Sequence, residues 1–200
     1  MQRSNLLFLS LMLVGLLWGS TQAKALPLSH SQDVHGQECG QLAKAVLSNI
    51  SELLKDKEQF NGFNCSEMTA KVHSKTSTVS SCTPTVSGQG CSGQVAQNTQ
   101  FNKADCLVNI RADMEYYKRL LEAQRTQHSK LSQVVKATSN MLEKCNWSTS
   151  ESAPPSETVC ASGDSFSDRM CLCEVVQGFQ LRAITITRAL NYIASGDYQS

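Results

Sequence analysis

The side chains with the most chemistry in this 200-residue chain are its nine cysteines: Cys39, Cys65, Cys82, Cys91, Cys106, Cys145, Cys160, Cys171 and Cys173. Thiols at this density either pair oxidatively or ligate a soft metal. Zinc fits poorly. Cys171 and Cys173 flank a single residue, tighter than a usual ligand pair, and His30, His35, His73 and His128 are dispersed. No metal or cofactor is expected, and the cysteines read as a disulfide framework. Their odd number leaves one for a bond to another chain or for a free thiol.

Hydrolytic chemistry is not expected either. No G-x-S-x-G nucleophile turn occurs, and the histidines, His128 apart, lie in N-terminal and loop segments with no acid–base grouping. Three sequons, at Asn49, Asn64 and Asn146, are candidates for N-glycans, and Asn146 is favoured because it lies in a polar loop.

The last helical stretch carries a second kind of chemistry, that of recognition. Val176, Phe179, Ala183, Ile186, Leu190 and Ile193 form one apolar stripe. On the opposite side fall Leu181, Ile184, Arg188 and Tyr192, where a solvated helix should carry small polar residues. Aliphatics, an arginine and a tyrosine together have the composition of a protein-binding hot spot. The arginine fork pairs bidentately with a carboxylate, so an acidic residue is expected opposite Arg188 on a partner. The competing reading is that loops of the same chain cover this face.

The compartment follows from the N-terminus. Arg3 precedes an apolar run from Leu6 to Trp18, and small residues offer cleavage after Ala23 or Ala25. This is the layout of a secretory signal peptide, residues 1–25, and the run is too short to span a bilayer. The expected product is secreted and extracellular, without membrane insertion. Losing Arg3 and Lys24 lowers the basic residues from 18 to 16 against 17 acidic ones, a net charge of −1. Such a balance offers no electrostatic case for nucleic acid or an anionic membrane. The remaining residues, 26–200, suit a single domain with a substantial core.

Four amphipathic helices must position these groups. Leu42, Val46, Ile50 and Leu53 mark a first helix from about Glu38 to Lys57, and Leu107, Ile110, Met114, Tyr117 and Leu121 a second from about Lys103 to Gln124. Leu131, Val134, Met141 and Cys145 outline a third. The fourth starts at Ser167–Asp168 and stops at Gly196. Val79 to Val86 would add at most a short extended piece. The first and third connections are long, rich in Ser, Thr, Gly or Pro, and hold Cys65, Cys82, Cys91 and Cys160; only the middle one is short. Two long crossovers allow an all-α, up-up-down-down four-helix bundle, stapled by disulfides.

Two segments carry a family likeness. Lys75-Thr76-Ser77-Thr78-Val79-Ser80-Ser81-Cys82 and the run from Phe179 to Ile193 (FQLRAITITRALNYI) resemble stretches of the interleukin-12 alpha subunit family, with weaker similarity from about Cys39 to Ile193. The resemblance implies a long-chain cytokine subunit joined covalently to a receptor-like beta subunit and engaging interleukin-12-type receptors on cells. The implied output is T-cell and natural-killer-cell activation with interferon-gamma production. It also implies that Arg188 enters an acidic pocket of the partner, with Arg182, Thr185 and Tyr192 at neighbouring interface positions.

The same resemblance implies disulfides between Cys65 and Cys173 and between Cys82 and Cys106. Cys39 has a counterpart, but the family's longer loop holds two further cysteines where this chain has Cys91 alone. Cys91 either bonds the partner, leaving Cys39 to find another cysteine, or pairs with Cys39; its spacing after Cys82 favours the interchain role. Cys145, Cys160 and Cys171 have no counterparts, and their pairing is open. Phe63 and Phe166 stand at plausible receptor-contact positions, and each could equally be a core residue. The alternative function is a stand-alone helical-bundle cytokine or a carrier of an apolar ligand.

Overall fold

A computed structural model describes residues 34–72, 76–83, 101–124, 129–147, 160 and 164–196. The expected signal segment and Cys91 lie outside these residues. The described helices are α1 (Val34–Leu54), the single turn α2 (Thr78–Ser81), α3 (Lys103–Ala123), α4 (Ser129–Lys144) and α5 (Ser165–Ser195), with a 3-10 turn at Cys65–Glu67. Among the described residues there is no strand.

Local chemistry sets the helix ends. The Asn102 side chain accepts hydrogen bonds from the Ala104 and Asp105 amides, capping α3. Asp164 does the same for α5 through the Phe166 and Ser167 amides, so that helix begins earlier than Ser167–Asp168. Gly196 ends it with φ 76°, a left-handed conformation that costs glycine little. Helix α1 starts before Glu38 and stops short of Lys57. Beyond its end, the Asp56 carboxylate accepts the Glu58 and Gln59 amides and turns the chain. Thr78–Ser81 forms a helical turn where an extended piece was expected, and residues 84–86 lie outside the described residues.

Specific contacts give the helix directions. Cys39, near the start of α1, is bonded to Cys145 at the end of α4, and Lys130 at the start of α4 meets Asp56 at 2.9 Å just past α1. Helices α1 and α4 are therefore antiparallel. Ser51 takes a hydrogen bond from Gln180, while Gly40 lies against Asn191, so α1 and α5 are antiparallel too. Asp113 meets Arg182 and Tyr117 stacks on Phe179, which sets α3 antiparallel to α5. The order is up, up, down, down, with α1 parallel to α3 and α4 parallel to α5. This is the up-up-down-down bundle with two long crossovers expected from the connection lengths.

The apolar stripes meet in one core. Ile50, Leu53, Ile110, Met114, Tyr117, Val134, Met141, Val176, Phe179 and Ile186 are all buried, each large side chain contributing roughly 1.5–3 kcal/mol by leaving water. Tyr117 and Phe179 stack with ring centroids 4.4 Å apart.

Four disulfides staple this core: Cys39–Cys145, Cys65–Cys173, Cys82–Cys106 and Cys160–Cys171. The second and third are the two pairs the resemblance implies. The first and fourth answer what spacing left open. Cys39 pairs with Cys145, and the eight described cysteines use one another up.

Candidate docking face on the last helix

Helix α5 packs chiefly against α1, with a narrower contact to α3, and its apolar stripe points inward as the periodicity predicts. The opposite face is partly exposed. Leu181 is 49% exposed and Arg188 is exposed, with Ile184, Thr185 and Tyr192 half-buried around them. Among the described residues no carboxylate pairs with Arg188. Thr185 donates its hydroxyl back to the Leu181 carbonyl at 3.3 Å.

Arg182 departs from the expected arrangement. Grouped by the resemblance with the interface positions, it is only 4% exposed and turns into the bundle, where its Nε lies 3.1 Å from Oδ2 of Asp113. The reason is angular. At roughly 100° per residue, position 182 falls on the seam between the inward stripe and the outward face, close to Ile186 and Phe179. A guanidinium there is stable only beside a buried acid.

Asp113 is that acid. It is fully buried on α3 and accepts hydrogen bonds from Thr76 Oγ1 at 2.6 Å and from Thr78 Oγ1. Burial pushes its carboxyl above the usual carboxylate range, opposed by the two threonine hydroxyls and by the Arg182 charge. Asp113 is a structural group that the sequence reading missed. The detectable signal was an aspartate on the apolar side of α3, between Ile110 and Tyr117.

The same seam carries the first crossover. The Lys71 amide donates to the Glu174 carbonyl at 2.9 Å, and a Cβ on Gly178 would collide with the Lys71 carbonyl, with the Val72 nitrogen 3.0 Å away. Glycine is required there so that the backbone can approach. Gln177 donates to the Cys65 carbonyl, and Asn109 accepts the Ser77 amide at 2.8 Å. Residues 65–72 thus run beside α5 and residues 76–82 are tied to α3, while Leu181 and Arg188 stay exposed.

At one end of the bundle, Phe63 is half-buried and Phe166 is 42% exposed, their rings meeting edge to face at 5.7 Å. Arg169 lies over the Phe166 ring at 5.8 Å. Asn49 is half-buried on α1, donating to the Ala45 carbonyl, and Asn64 caps the 3-10 turn. Asn146 is exposed directly after Cys145.

Among the described residues no cluster of His, Cys, Asp or Glu could hold a metal, and no helix is long and apolar enough to cross a membrane. Comparison with curated proteins finds no match. The interleukin-12 alpha subunit family model, however, matches residues 5–196, nearly the whole chain. With its crossover bundle and staples, this chain belongs to the interleukin-12 alpha subunit family, a family of cytokine subunits and not of enzymes.

Proposed function

We propose that the protein is a secreted cytokine subunit that docks a receptor-like beta subunit through the outward face of α5. The observation that carries this reading is Arg188, a cation exposed beside Leu181 with no acid of the described residues to neutralise it. Arg188 enters an acidic pocket of the partner, while Leu181, Ile184, Thr185 and Tyr192 supply apolar area around it. Cys91 supports the covalent step, since no other cysteine is left to pair with it. Its thiol forms the bond to the beta subunit. Phe63 and Phe166 offer the aromatic contact for a signalling receptor of the interleukin-12 type. The assembled pair bridges receptors on T and natural killer cells and drives interferon-gamma production.

Co-secretion with an interleukin-12 beta-type subunit tests this reading. The wild-type chain should leave cells as a heterodimer that separates only on reduction. Arg188→Ala should lower the yield of that species, and Cys91→Ser should leave it separable without reductant. A chain secreted alone as an active monomer would favour the stand-alone cytokine instead.

A further inference from the structure

The seam of α5 holds a buried polar cluster around Asp113. Asp113 and Arg182 are both buried, and each of the three contacts to the Asp113 carboxylate comes from outside α3: Thr76 and Thr78 from the crossover, Arg182 from α5. A buried ion pair contributes little net stability compared with apolar residues of the same volume, because desolvation offsets the attraction. What it supplies is direction. The contact of α5 with α1 is broad but its contact with α3 is narrow, so on the α3 side few packed side chains specify how α5 is turned. A buried guanidinium whose Nε lies 3.1 Å from a fixed carboxylate, though without a hydrogen bond from that nitrogen, resists being turned away because separation would leave both charges uncompensated.

Arg182 is well placed for that task. It stands on the boundary between the buried stripe and the docking face, next to Leu181 and one turn before Thr185 and Ile186. A rotation of α5 about its axis would turn Leu181, Thr185 and Arg188 together, away from the direction they now present. The same carboxylate holds the crossover through Thr76 and Thr78, beside Val79, which is 59% exposed.

We infer that Asp113 is a positioning residue for partner recognition: by meeting Arg182, Thr76 and Thr78 at once, it ties the rotation of α5 to α3 and to the crossover turn, so that Arg188 and Leu181 face the partner together. The inference rests on the docking reading above, and it assigns Arg182 an internal role in the assembled pair as well as in the free chain.

The test compares three variants of the full chain, using as probe an interleukin-12 beta-type ectodomain whose free thiols are alkylated so that binding is reversible. Asp113→Leu with Arg182→Met removes both charges at similar volume. It should stay folded, melting lower only by the cost of the two threonine hydroxyls it orphans, yet bind about tenfold more weakly, chiefly through faster dissociation. Thr76→Val with Thr78→Val leaves the ion pair in place and frees the crossover; it should melt lower, because a buried carboxylate loses two hydrogen bonds, and show a smaller loss of affinity. Arg188→Ala reports on the docking reading itself. If Arg188→Ala binds like the parent, the docking reading fails and this inference with it. If Arg188→Ala loses binding while the other two variants retain parental affinity, the positioning role alone is overturned. Should the charge-free pair not be secreted folded, the threonine pair decides by the same criterion.

Discussion

Arg182 and Arg188 stand less than two turns apart on α5, yet one is buried 3.1 Å from Asp113 and the other is exposed with no carboxylate of the described residues beside it. The two cations therefore answer to different measurements. Arg182→Met alone strands the Asp113 charge in the core and should cost about 3–5 kcal/mol in chemical denaturation of the free chain. Arg188→Ala should change that stability by no more than about 0.5 kcal/mol while weakening heterodimer formation. Equal losses of stability in the two variants would contradict the placement of both.

Gly178 gives a second expectation. A methyl group at this position meets the Lys71 carbonyl, and that obstacle is backbone rather than a side chain able to swing aside. Gly178→Ala should destabilise the chain by about 1–3 kcal/mol, the usual cost of overpacking, even though alanine is the better helix former. Hydrogen exchange should show lost protection at the Lys71 amide, which now donates to Glu174.

The disulfide map is directly measurable. Non-reducing peptide mapping should recover Cys39 with Cys145 and Cys160 with Cys171, the two pairs that spacing left open. Cys39 and Cys145 are separated by 106 residues, so their bond closes a long loop in the unfolded chain. Replacing both by serine should cost about 4–5 kcal/mol on chain-entropy grounds. A Cys39–Cys91 peptide in the wild-type map would overturn both the pairing and the covalent role of Cys91.

Acid should loosen the start of α5. The Asp164 carboxyl is held below its ordinary value of 3.8, first by the Ser167 hydroxyl and then by the Phe166 and Ser167 amides. A depressed folded pKa means that the cap stabilises the fold fully above the ordinary value and is lost as pH falls through the lower one. Exchange at the Phe166 and Ser167 amides should therefore accelerate below about pH 4, a response that Asp164→Asn should flatten. The effect should be small, because Asp164 is exposed and screened.

The sequons should not be equivalent in glycan mapping. Asn146 is exposed just past α4, whereas Asn49 is half-buried along α1, in a groove lined by Lys136, Asn140 and Glu143 of α4. Asn64 engages Ser66 and Glu67 through both side-chain atoms. Mass spectrometry of the secreted chain should find Asn146 the most occupied site and Asn49 the least, and Asn49→Gln should leave electrophoretic mobility nearly unchanged.

How much was legible beforehand varies with the kind of information. Apolar spacing along Leu42–Leu53, Leu107–Leu121 and Val176–Ile193 is local, and a helix has one period, so the helices and the inward stripe of α5 followed from the chain alone. The two long connections and one short one likewise constrain the bundle order, and nine cysteines cannot all pair internally. Helix boundaries were read less well at Asp164 and Asp56, where side-chain hydrogen bonds to nearby amides decide the ends and several polar residues compete for the role.

Tertiary structure alone decided what depends on distance between remote segments. Cys39 and Cys145 are far apart in sequence and adjacent only because α1 and α4 run antiparallel. Arg182 sits where periodicity is ambiguous, on the seam, and its burial follows from an aspartate on another helix and two threonines on a crossover. A charge at the edge of a stripe goes inward or outward according to whether an opposite charge waits inside, and the sequence of one helix does not contain that information.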